Sequence, residues 1–241
     1  MGESLDGLDR VPELLRGPVR EYAALVRSLG GDNVVSLTLF GVVMAGSFDP
    51  HRHTVRSVLV VERVDLEMLR ALAGRGSKLG KDHIAAPLVM TAEYIRNSLD
   101  AFPLEFLEIQ QQHATLFGPD AFAELTFDER DVRLQCEREL KVILIGLRQG
   151  LLASMGKERA LGELEAGAAA GLLRTLRGML WLKGQKEAKA AEDVTRAVES
   201  LTGRRLEGLR TALDPTAERG WPAFELLYQD VAELGALVDA W

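Results

Sequence analysis

The most chemically loaded stretch of the chain is Ser47-Phe48-Asp49-Pro50-His51-Arg52-His53. A carboxylate and two imidazoles this close are the side chains that hold a divalent metal or orient a phosphate. His51 and His53 are two residues apart, so they share a side only if the backbone between them is extended. The plainer assignment is a solvent loop in which Asp49-Pro50 shapes a turn. Glu105 and Glu108, in Leu104–Ile109 (LEFLEI), are a second candidate pair. That segment reads as a strand, and on a strand residues three apart face opposite sides, so only one of them can face a cleft. Gly41–Gly46 (GVVMAG) lacks the Gly-Lys-Ser/Thr ending of a P-loop. Gly41 suits a tight strand-to-helix turn, with room for a phosphate at the start of the helix after it. Arg174, Arg177, Lys183, Lys186 and Lys189 form a basic run. It is read as a solvated helix face rather than a phosphate or RNA contact, because the chain as a whole is acidic. Cys136 lies on an apolar helical stripe, which makes it core rather than nucleophile.

These residues need elements to position them. Val19–Leu29 carries a helical stripe ended by Gly30-Gly31. Val34–Phe40 reads as a strand closed by Gly41, and Ser57–Val64 as a second strand. Asp65 caps a helix over Leu66–Ala73, stopped by Gly74 and Gly76. Met90–Leu99 reads as helix and Leu104–Ile109 as the third strand. From Asp120 to Asp214 there is no proline, so long helices can run unbroken. Helices are expected over Glu129–Ser154, Leu161–Trp181, Ala188–Leu201, Leu206–Leu213 and Ala223–Ala240. The expected fold is α+β: a small mixed sheet covered by helices over residues 1–125, then an antiparallel helical bundle over residues 126–241.

Composition removes several function classes. The chain has 241 residues, 47% hydrophobic and 27% charged, which excludes a disordered protein. One cysteine excludes a disulfide scaffold and a multi-cysteine zinc site. No run of about 18 apolar residues is present, so no membrane span is expected. The N-terminus, Met1-Gly2-Glu3-Ser4-Leu5-Asp6, is acidic and lacks a basic-then-apolar signal, so the expected location is cytoplasmic. A net charge of −7 argues against a nucleic-acid partner.

Val34–Val61 reads VVSLTLFGVVMAGSFDPHRHTVRSVLVV. It resembles the opening of the nucleotidyltransferase superfamily, the polymerase-beta-like fold. There a strand ends in Gly-Ser, a short helix follows, a second strand carries Asp-x-Asp, and a later strand brings a third carboxylate. The stretches AFPLEFLEIQQQHATLFGPDAFAEL and VRLQCERELKVILIGLRQGLL are similar to bacterial proteins of that two-domain type. The helical bundle is similar in placement to that of kanamycin nucleotidyltransferase-like proteins. The resemblance implies carboxylates holding two divalent cations that bridge a triphosphate and the attacking hydroxyl. Here Gly41 stands at the strand-end glycine and Val42 at the serine, while Val55 and Ser57 fall at the two aspartates. Glu105 or Glu108 would be the third carboxylate. Valine supplies no oxygen ligand and a serine hydroxyl is a neutral, weak one. A slip in this alignment does not restore the pair, because Asp49 is the only carboxylate between Val34 and Val61.

The sequence therefore leads to a catalytically inactive protein of this fold, a pseudoenzyme with a binding or regulatory role that retains a nucleotide site. The candidate nucleotide-binding residues are Gly41, Val42, Ser47, Asp49, Ser57, Glu105 and Glu108. No catalytic residue, metal or cofactor is expected. One alternative is an active transferase using magnesium and a nucleoside triphosphate, with a rearranged metal site of Asp49, His51, His53 and Glu108. The other is an interaction module, in which the bundle and Trp181, Trp221 and Trp241 meet a protein partner or a second copy of the chain.

Overall fold

A computed structural model describes residues 5–44, 48–51, 53–187 and 190–241. The chain divides into two compact units. The first runs to Leu99 and takes in Glu108–Thr126; the second comprises Asp100–Leu107 and Phe127–Trp241.

In the first unit, α1 spans Glu13–Gly30 and leads into β1, Val34–Phe40. A 3-10 turn over Gly41–Met44 follows, then β2, Arg56–Val61. Next come α2 (Leu66–Ala73), α3 (Gly76–Lys81), β3 (Leu88–Met90) and α4 (Ala92–Asn97). Helix α5, Pro103–Gln111, is divided between the units, and β4 is His113–Phe117. The α2 helix has the bounds its sequence announces, because the Asp65 carboxylate accepts the N–H groups of Glu67 and Met68.

The sheet order is β3-β2-β1-β4. β1 is antiparallel to both β2 and β4, and β2 is parallel to β3. Strand alternation gives the sheet two distinct faces. Leu37, Leu39, Val55, Leu59, Val61 and Leu116 face α1, sharing one apolar cluster with Val19, Tyr22, Ala23 and Val26. Thr38, Phe40, Arg56, His113 and Thr115 belong to the other face. The Thr38–Thr115 hydroxyl bond of 2.9 Å and the stacking of Arg56 on Phe40 fix that assignment.

In the second unit, α6 is Glu129–Ser154, α7 Glu158–Leu182, α8 Ala191–Thr202, α9 Glu207–Leu213 and α10 Trp221–Asp239. The apolar stripe of α6 is realised: Val132, Cys136, Leu140 and Leu147 are buried in a cluster with Leu172, Leu176, Leu227 and Val231. Asp128 starts this helix by accepting the N–H of Arg130 at 2.7 Å.

Three expected elements are corrected. Leu104–Ile109 is helical, part of α5, so the third antiparallel strand is His113–Phe117 instead. Met90–Leu99 is not one helix: Leu88–Met90 pairs with β2, and α4 begins only after Thr91 caps it. The second strand ends at Val61 rather than Val64. No helix among the described residues is long and apolar enough to cross a membrane.

Candidate functional site

Three residues from three strands meet at one end of the second sheet face. Arg56 opens β2, Phe40 closes β1, His113 opens β4, and the register sets them directly opposite one another. The Arg56 guanidinium lies 4.4 Å from the Phe40 ring centroid, and its Nη1 donates to Glu108 Oε1 at 3.3 Å. On the other side of Phe40, His113 Nε2 sits 2.8 Å from Asp120 Oδ2. Burial works against the charge on Asp120. The N–H of Phe122, the His113 ring and the N–H of Ala123 outweigh it, so its pKa lies below the ordinary carboxylate value. Gln110 Nε2 donates to the carbonyls of Phe122 and Leu125 and ties down the segment that carries Asp120.

Gly41 follows Phe40 with φ +79, a conformation that favours glycine, and so turns the chain out of β1. Its N–H is already donated to the Gln112 carbonyl at 2.8 Å, so it offers nothing to a phosphate. Val42, next to it, is partly exposed. Ser47 lies outside the described residues.

Val55 and Ser57 do not face this site. Both are buried on the α1 side of the sheet, where the Ser57 hydroxyl is 3.0 Å from that of Tyr22. Burial pushes the Tyr22 phenol up to about 12. Arg56 alternates with Val55 and Ser57 along the strand and lies on the opposite face, beside Phe40. Sequence reasoning passed over Arg56 because β2 is buried at every position after it, leaving no alternation from which to tell the faces apart.

The two glutamates part company, for a reason other than the one the sequence suggested. On helix α5 they are close to one face, but Glu108 belongs to the first unit and Glu105 to the second. Glu105 pairs with Arg174 at 3.2 Å and accepts from Gln135 at 2.7 Å. The loop residues close on themselves. Asp49 Oδ1 accepts the His51 N–H at 2.9 Å, and the Asp49 N–H donates to His53 Nδ1 at 3.0 Å.

These contacts decide whether the residues suit magnesium, which takes hard oxygen ligands. They do not. Arg56 brings a positive charge to the sheet end, Val55 and Ser57 face away, and Glu108 already faces the guanidinium. Among the described residues, no three His, Cys, Asp or Glu side chains are grouped to hold a metal ion.

Three residues of the basic run have partners in the second unit. Arg174 pairs with Glu105 and Glu139, Lys183 lies 3.8 Å from the centroid of Trp241, and Lys186 lies 5.0 Å from that of Trp181. Lys189 falls outside the described residues. Burial raises the Cys136 thiol to about 12, so it is no nucleophile.

A four-stranded mixed sheet with helices, continued by a helical unit, is a nucleotidyltransferase-like fold, similar in architecture to kanamycin nucleotidyltransferase-like proteins. Among solved structures the chain is similar to spectinomycin adenyltransferase AAD(9) from Enterococcus faecialis, crystallised with ATP and spectinomycin. The TM-score is 0.58 at 11% identity, over 92% of this chain and 98% of that one. No protein-family profile matches the chain, and no curated protein matches it.

Proposed function

We propose that this protein is a catalytically silent member of the nucleotidyltransferase fold, a cytosolic binding or regulatory protein that accepts a nucleotide in the first unit. One observation carries the reading: a guanidinium, Arg56, stands on the strand where the resemblance calls for metal-binding carboxylates. Two metals bridging a triphosphate need several negative oxygens, and a cation at their centre repels them. The neighbouring structure holds ATP, which supports a nucleotide as the ligand here.

The helical unit supports a partner as the second component of this role. Leu134, Val142, Ile145 and Leu152 are exposed on one side of α6, and Trp221 is about half exposed on α10.

The test is an adenylyl-transfer assay with ATP, magnesium and a panel of hydroxyl-bearing acceptors, with the oligomeric state measured on the same preparation. The expected result is no transfer above the rate without protein. Magnesium-dependent transfer of AMP, lost on substitution of residues around Arg56, overturns the proposal.

A further inference from the structure

We infer that the Arg56 guanidinium takes over the metal's place in the first unit and binds a polyphosphate chain directly, without a divalent cation. This rests on the proposed nucleotide role and specifies its ligand as the free phosphate anion rather than its magnesium complex.

The geometry supplies three supports. First, the guanidinium is oriented. It lies over the buried Phe40 ring, a contact that remains when a ligand replaces Glu108. Second, it has donors to spare. A guanidinium carries five N–H donors in a fork that matches two phosphate oxygens. Among the described residues, Glu108 is its one hydrogen-bonding partner. Third, it is reachable. Its side chain is 46% exposed, against 17% for Glu108.

Displacing Glu108 costs little. A pair in which one member is this exposed contributes little to stability. A terminal phosphate brings more negative charge than a carboxylate and accepts two hydrogen bonds from the same fork. The backbone offers no competing cradle at this point, since the Gly41 N–H is committed to Gln112.

The role of magnesium then inverts. In a two-metal site the cation is the bridge that holds the phosphates. Here it neutralises the ligand charge that Arg56 attracts, so it weakens binding.

Calorimetric titrations with ATP, sodium tripolyphosphate and adenosine, each in EDTA and in excess magnesium, test this. The expected result is binding of ATP and tripolyphosphate in EDTA, none of adenosine, and weaker binding of both anions in magnesium. Arg56→Ala loses on the order of tenfold in affinity, the scale of one charge-assisted hydrogen bond. Arg56→Lys keeps part of it, because the ammonium retains the charge but not the fork. Glu108→Gln binds severalfold tighter, because the guanidinium loses its internal counter-ion. Misfolding weakens binding in any variant, so a gain in Glu108→Gln set against a loss in Arg56→Ala reports the pair itself. Binding that requires magnesium, an Arg56→Ala protein equal to the unaltered one, or no binding of either anion overturns the inference. Those three results leave the catalytically silent reading standing, whereas adenylyl transfer removes that reading itself.

Discussion

Asp230 is a carboxylate used as a structural tool, at a cost. It lies buried on α10 and accepts the N–H of Leu209 at 2.9 Å, together with the N–H of Gly208. These are early N–H groups of α9, so a residue from another helix caps it where its own Leu206 has no side-chain acceptor. Burial pushes the Asp230 pKa up to about 6; the two N–H groups offset only part of that, and Glu233 and Glu207 add to the rise. A raised acid binds its proton more tightly folded than unfolded. Its contribution to stability is therefore full below about 3.8 and is lost as pH rises through about 6. Asp230→Asn keeps an acceptor without the charge. Thermal unfolding should show it more stable than the unaltered protein at pH 7, by on the order of 2 kcal/mol, with the difference closing towards pH 4. A variant that is less stable at pH 7 means that the charge strengthens the cap by more than burial costs. Glu199 runs the other way. The Arg210 guanidinium, at 2.8 and 2.5 Å, holds it down to about 2, so its contribution is full above about 4.5 and falls away as pH drops towards 2.

Between elements, α9 approaches α10 closely at Gly208. A Cβ added at Gly208 would sit 2.1 Å from the Leu227 backbone nitrogen and 2.3 Å from the Leu226 carbonyl carbon. Backbone cannot rotate aside as a side chain can, so Gly208→Ala must separate the two helices. It should cost about 3 kcal/mol or more, read as a fall in denaturation midpoint. Gly146→Ala is the control, since nothing lies within 4 Å of its added methyl, and it should be neutral or slightly stabilising. Much of this level was legible in the sequence. The 26 residues of α6 and the eight of α2 match their expected bounds because each has an acidic cap directly before it. Leu104–Ile109 was misread because a short apolar run with glutamates in it resembles a strand. The discriminating signals were Pro103 at the first helical position and the three-residue spacing of Glu105 and Glu108, whose positions are the less buried ones. At the site, the scarcity of carboxylates between Val34 and Val61 was legible because it is a matter of residue types. The placement of Arg56 was not, because it depends on which face of β2 the residue occupies, and only pairing with β1 fixes that.

For the molecule as a whole, the frame rests on apolar packing rather than on the charged residues at the sheet end. The two apolar clusters hold the units without any residue of the Arg56–Glu108 pair. The frame should then accept carboxylates there. In the double variant Thr54→Asp/Arg56→Asp, two new carboxylates join Glu108 at the sheet end. In EDTA their mutual repulsion should lower the unfolding temperature below that of the unaltered protein. Magnesium should then raise it, because a ligand that binds only the folded state stabilises it by about 2.7 kcal/mol at a hundredfold excess over its Kd. For a chain of this length that is a shift of several degrees. The unaltered protein, with Arg56 in place, should show no such response to magnesium. A double variant that is equally indifferent means that Thr54 and Arg56 are not the positions from which carboxylates reach a common metal. The proposed assignment of Arg56 to the metal's place would then fall.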